Sequence, residues 1–417
     1  MSEVGWVETA LVAARPQAVA ALLRYFRDLD TAEEAFQNAA LRALKTWPQA
    51  GPPRDPAAWL IMVGRNAGID QVRKTSRLTV LDDEKAVSDL GDAETAAAER
   101  LDDSQYRDDI LRLLFVCCHP ELPATQQIAL ALRIVCGLSV AQIAKAFLVG
   151  DSAMEQRITR AKARIAKAEI PFEAPGALER AERVGAVASV IYLMFNEGYS
   201  AAAADAERRA PLSLEAIRLA RLMLKLFPGE PELMGLAALL MLQHARIGAR
   251  FDADGNAVLL ENQERKKWNG ELIAEGLALI DKSMRHRRPG PYQVQAAIAA
   301  LHTRSASAAE TDWAEIELLY RALERLQPSP VVTLNRAVAV WKVSGPEAAL
   351  ALIEPLDGPL AGYFYFHGMR GALLAALGRA GEARDAYSRA ISLAGSAAEA
   401  AHIRGQLDAL SETAKAS

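Results

Sequence analysis

The chain contains no long apolar run. The runs at 184–195 and 236–242 fall well short of the roughly 20 residues a membrane-spanning helix needs. Cysteine is scarce: Cys117, Cys118 and Cys136 are odd in number and two are adjacent, which argues against a disulfide framework. No C-x-x-C pair is present, so a zinc site is not expected, and the thiols read as small buried groups of a helical core. The six histidines are scattered, and there is no nucleophile elbow or Gly-rich phosphate loop. No catalysis, no cofactor and no metal are therefore expected. The N-terminus, MSEVGWVETA, lacks a basic segment followed by an apolar run, so no signal peptide is expected and the setting reads as cytoplasmic and reducing. A dominant charge is missing too: 48 Lys and Arg face 52 Asp and Glu, and any nucleic-acid contact must come from a local patch. Apolar residues make up 51%, rich in Ala and Leu with few β-branched runs, so the expected class is all-α.

One such patch lies at 137–167, GLSVAQIAKAFLVGDSAMEQRITRAKARIAK. Ser139 with Gln142, and Ser152 with Glu155, predict capping boxes at two helix starts. Val140, Ile143, Ala144 and Phe147 form one apolar stripe; Met154, Ile158, Ala161 and Ile165 form another. Two short helices joined by a tight turn make a helix-turn-helix. Leu148 stands where such turns favour glycine, and Gly150 is expected to supply the flexible position. Off the dry face of the second helix stand Gln156, Arg157, Arg160, Lys162, Arg164 and Lys167, a pattern suited to a DNA major groove. A plain helical hairpin with a solvated basic face is the alternative.

Upstream, Thr31 with Glu34 predicts a further cap, followed by the stripe Ala35, Phe36, Ala39, Ala43 and Trp47. Asp55-Pro56 opens the next helix. From 75 to 103 nine acids meet three bases with few large apolar residues, which reads as a mobile acidic tether. Past Pro171 helix follows helix. NRAVAVWKVSGPEAALALI from Asn335 and GMRGALLAALGRAGEARDAYSRAISLA from Gly368 superpose at an offset of about 34, the tetratricopeptide period. The insert at 251–269 lacks calcium-loop spacing and reads as a small hairpin. Asn262, Arg265 and Trp268, with Asn196, Glu197 and Tyr199 of FNEGYS, form a candidate C-terminal pocket, or else pin the insert to its neighbours.

DLDTAEEAFQNAALRALKTW and PAAWLIMVGRNAGIDQVRK resemble the second region of extracytoplasmic-function RNA polymerase sigma factors. The stretch from Gly137 is similar to their fourth region. LLFVCCHPEL, FNEGYSA and NRAVAV resemble the subgroup with a tetratricopeptide-like C-terminal extension. The resemblance implies a region-two module at 1–75, a linker at 76–104, a region-four module at 105–170 and a repeat domain at 171–417. It implies a factor that recruits core RNA polymerase to promoters and opens them, with a protein partner on the repeats as a further candidate. Polymerase contact is implied for Glu33, Glu34, Gln37, Asn38 and Arg42. Capture of the melted downstream strand is implied for Arg65, Asn66, Asp70, Arg73 and Lys74, and upstream readout for Gln156, Arg157, Arg160, Arg164 and Lys167. A helix-turn-helix regulator that acts without core polymerase, and a repeat scaffold, are the competing readings.

Overall fold

The computed structural model describes residues 5–75, 103–147, 149–167, 177–199, 203–252, 255, 258–305, 307–394 and 397–416. Among them the chain is helical, apart from an isolated bridge at Phe251. It divides into two compact units, Met1–Met194 and Phe195–Ser417. The expected acidic tether lies almost wholly outside the described residues.

The first unit opens with three mutually packed helices, α1 (Gly5–Phe26), α2 (Leu29–Ala50) and α3 (Pro56–Thr75). Asp28, in extended conformation, caps α2: its Oδ1 accepts from Thr31 N at 2.7 Å and from Thr31 Oγ1 at 2.6 Å. The cap therefore lies three residues ahead of the expected Thr31 box, because the carboxylate captures Thr31 as its own partner. The predicted stripe is buried, and Trp47 sits between Trp6, stacked at 6.2 Å, and Trp59, edge-on at 5.3 Å. Asp55 caps α3 as expected, accepting from Ala57 N (2.9 Å) and Ala58 N (3.1 Å).

Next come α4 (Asp103–Cys117) and α5 (Ala124–Ala131). A π-helical turn, Leu132–Cys136, extends α5 to Gly137, whose φ of 79° ends it. Cys117, Cys118 and Cys136 are buried, and none of them is in a disulfide. Burial pushes Cys118 up to about 12, and burial with neighbouring thiols raises Cys117 too. α6 (Val140–Ala146) carries the Ser139–Gln142 capping box in full. α7 (Asp151–Lys167) begins two residues earlier than expected, with Met154 N bonded to Gly150 O, so Ser152 lies inside the first turn. Gly150 does not adopt positive φ, and Leu148 lies outside the described residues.

The boundary between the units falls within α8 (Ala177–Tyr199). The second unit continues with α9 (Ala203–Leu226), α10 (Pro231–His244), α11 (Gly270–Met284), α12 (Pro291–Arg304) and α13 (Trp313–Leu326). It ends with α14 (Pro330–Ser344), α15 (Pro346–Ile353), α16 (Phe364–Ala376), α17 (Ala380–Leu393) and α18 (Ala397–Ala416). Successive helices pack chiefly on their chain neighbours, the pattern of a helical array. α10 is buried almost all round because α9, α11 and α12 pack on it. Gly235 makes this close: a Cβ there would lie 2.5 Å from Gln293 N of α12.

The expected repeat corresponds to two hairpins, α14–α15 and α16–α17. Gly345 (φ 90°) and Gly378 (φ 74°) occupy matching turns, where the left-handed backbone favours a residue without Cβ. In the insert, Val258 N bonds to Arg250 O and Gly255 adopts φ 81°, closing the expected small hairpin.

Candidate nucleic-acid interface

The amphipathic pattern of α7 decides which side chains face outward. Met154, Ile158, Ala161 and Ile165 are buried; Gln156, Arg160, Arg164 and Lys167 are exposed, and Arg157 is half-buried. Burying the three large apolar side chains contributes about 1.5–3 kcal/mol each and fixes the helix on α5 and α6. Arg157 lies over the Phe147 ring at 6.0 Å, and Arg164 Nη1 reaches Glu121 O at 3.3 Å. Arg160 and Lys167 extend into solvent. This face offers guanidinium forks and an ammonium on a rigid support, the groups that bond guanine edges and phosphates.

Lys162 behaves differently from its neighbours. Its ammonium turns to α2, 2.6 Å from Asp30 Oδ1 and 2.8 Å from Glu33 Oε2. Glu33 is only 4% exposed, and two more cations reach its carboxylate, Arg133 Nε at 3.0 Å and Arg15 Nη2 at 3.8 Å. Arg15 is itself buried; its Nε donates to Ile134 O (2.8 Å) and its Nη2 to Arg133 O (3.1 Å), while the guanidinium covers Phe36 at 4.7 Å. Burial lowers the Arg15 pKa despite the pull of Glu33. For Lys162, burial disfavours the ammonium, but the bonds from Asp30 and Glu33 outweigh it and the pKa is raised. One buried carboxylate thus joins α1, α2, the turn after α5, and α7. A cleft of about 310 Å³ runs beside it between α2 and α7.

Of the residues expected to touch polymerase, Glu34, Gln37 and Arg42 are exposed and Asn38 is half-buried. Glu33 departs from that expectation: it is enclosed by Arg15, Arg133 and Lys162, and Gln37 Nε2 also donates to it at 3.2 Å. No local signal reveals this, because the Lys162 partner lies 129 residues away. On α3, Arg65 and Asn66 are exposed, with Arg65 stacked over Tyr25 at 4.5 Å. The side chains of Asp70, Arg73 and Lys74 lie outside the described residues.

The six residues of the candidate C-terminal pocket divide between the end of α8 and the insert. Tyr199 is held by Arg250, which covers its ring at 4.0 Å and donates to its carbonyl, and by Arg246 Nη2 at 3.4 Å from its hydroxyl. Asn196 and Glu197 stay with that end of α8, and Asn262 is exposed in a short turn. Arg265 instead lies over buried Trp268 at 4.9 Å and faces a different cleft. The FNEGYS end is thus pinned by Arg246 and Arg250, which precede the insert.

Residues 11–78 match the Sigma-70 region 2 family, and residues 112–165 match Sigma-70, region 4. Residues 183–284 match a family of unknown function, DUF6596. An uncharacterized protein of Rhizobium meliloti (strain 1021) is 68% identical over 410 residues, covering 98% of this chain and 97% of that protein. No solved structure matches the chain. Among the described residues no helix is long and apolar enough to cross a membrane. Two sigma regions in this order, each on the helices described above and followed by a helical extension, have one reading. The chain belongs to the extracytoplasmic-function-like sigma factors with a C-terminal extension, non-enzymatic transcription factors that act in initiation and bind core RNA polymerase and promoter DNA.

Proposed function

We propose that this chain is an alternative sigma factor that recruits core RNA polymerase to specific promoters and opens the DNA there. The exposed basic face of α7, set on a dry back, carries the reading. Gln156, Arg157, Arg160 and Arg164 read the upstream element and Lys167 holds phosphate. The Gly/Pro loop after α2 together with Arg65, Asn66, Asp70, Arg73 and Lys74 captures the melted downstream strand, where polar and basic groups suit unstacked bases. Glu34, Gln37, Asn38 and Arg42 contact polymerase from the outer face of α2.

In vitro transcription with core polymerase on a pool of genomic fragments tests this directly. Defined start sites are expected that disappear when the chain is omitted. DNA binding without any polymerase-dependent start would favour a conventional regulator. The second unit acts as an integral contact module that engages a protein partner through its repeats. Truncation after Met194 is then expected to abolish transcription while the remaining helices persist by circular dichroism; undiminished transcription would remove that role.

A further inference from the structure

The second unit contains a cleft of about 410 Å³, within the size range of small-molecule sites. It opens between the insert on one side and α12, α13 and α14 on the other. Its walls are aromatic: Trp313 and Tyr320 from α13, Trp341 from α14, and His302 from α12. His302 packs edge-on against Trp313 at 5.4 Å. Burial, helped by Arg246 and Arg265 nearby, pushes its pKa down to about 4, so at neutral pH the imidazole adds no charge to the wall.

Three charged side chains line the cleft, Arg265, Lys342 and Glu261. Lys342 Nζ and Glu261 Oε2 pair at 3.1 Å, which cancels two of the charges. Arg265 remains. Its Nε donates to Ser305 O at 2.9 Å and its flat face rests on Trp268, so backbone and indole hold the guanidinium in a fixed orientation. Both supports leave the terminal Nη pair unused among the described residues. A guanidinium held by its Nε and one face presents a two-pronged fork matched to a carboxylate. The wall therefore carries one uncompensated positive charge beside flat apolar surfaces.

We propose that this cleft binds a small aromatic carboxylate, its ring between the indole and phenol walls and its anionic group on the Nη fork of Arg265. The match is one charge to one charge and a flat body to flat walls. The inference is independent of how the first unit handles promoters.

Isothermal titration of the full chain with 2-naphthoate tests it, alongside uncharged 2-naphthamide and two variants. Arg265→Gln removes the fork and its charge while keeping a polar side chain. Val338→Trp, at a partly exposed cleft position, fills the space without touching the charge. Saturable one-site binding of 2-naphthoate is expected, at least tenfold weaker for the amide and in Arg265→Gln, and lost in Val338→Trp. Absence of saturable 2-naphthoate binding to the unaltered chain would overturn the proposal. So would equal binding of acid and amide, or binding that survives Val338→Trp. If Arg265→Gln proves unfolded by circular dichroism, the amide comparison and Val338→Trp decide.

Discussion

Lys162 Nζ stands 2.8 Å from Glu33 Oε2, which ties α7, the helix with the exposed basic face, to α2. Removing the carboxylate leaves Arg15 and Arg133 without their counter-charge and Lys162 with Asp30 alone. Glu33→Gln is therefore expected to cost about 3–5 kcal/mol of the packing between α7 and α2. Lys162→Met leaves Glu33 its two arginines and is expected to cost less, about 1–3 kcal/mol. Energy transfer between labels at Lys45→Cys and Lys167→Cys reports the separation: efficiency should fall most in Glu33→Gln and less in Lys162→Met. The same efficiency in all three proteins would mean that the ion pairs do not hold the helices together.

On the outer face of α7 the expected division is between base and phosphate. Arg160→Ala is expected to weaken promoter binding by about 1–3 kcal/mol and to relax preference at one upstream base pair. Lys167→Ala should weaken all sequences alike and flatten the salt dependence by about one unit of slope. A panel of single-base promoter variants separates the two; indistinguishable profiles would refute the assignment.

Three glycines of the last repeat predict three different outcomes. At Gly371 an added Cβ would lie 2.5 Å from Tyr387 Cδ1, so Gly371→Ala should cost about 1–3 kcal/mol. At Gly378 space is open but φ is 74°, so Gly378→Ala should cost about 1 kcal/mol through the backbone alone. Gly381, inside α17 with nothing near it, should gain about 0.5–1 kcal/mol as alanine. Thermal melts of the full chain should rank them in that order, and Gly371→Ala melting as high as Gly381→Ala would contradict the close ring contact.

His302 makes stability depend on pH. Its folded pKa is about 4, against an ordinary value of 6.5, so across that window the unfolded chain takes up the proton first. Stability should therefore fall as pH drops from about 6.5 to about 4, by about 3 kcal/mol, with no further loss from this group below. Burial lowers His244 as well, and its contribution has the same sign. Melting temperatures measured across this range should decline towards acid, and His302→Gln should flatten the decline. An unchanged slope in the variant would assign the acid sensitivity to other groups.

The buried and exposed faces of α7 were legible residue by residue, because a 3.6-residue period acts within one helix. So were the Asp55 cap, the Ser139 box and the paired hairpins after Pro330, each signalled by residues a few positions apart. The start of α2 was misplaced for a related reason: Thr31 fits the capping rule, but Asp28 offers a stronger acceptor one turn earlier. What the sequence could not reveal are contacts made across long separations. Lys162 looks like one more outward base, and Glu33 like one more outward acid, until folding sets them together. The same holds for the aromatic cleft, whose walls come from four helices and the insert. Arg265 was singled out, but its partners there are His302, Trp313 and Trp341 rather than Tyr199.

Arg15 has a consequence for how the molecule can be dismantled. Its guanidinium bonds the carbonyls of Arg133 and Ile134, which terminate the helical turn just before the helix-turn-helix, and leaves no room for a side chain at Gly137. The N-terminal helices thus finish a helix end belonging to the region 4 module. That module is not a portable part. A chimera joined within the acidic stretch would inherit a frayed terminus unless the donor's α1 presents an arginine at the same place. A graft that transfers α1 together with residues 103–167 keeps the end closed.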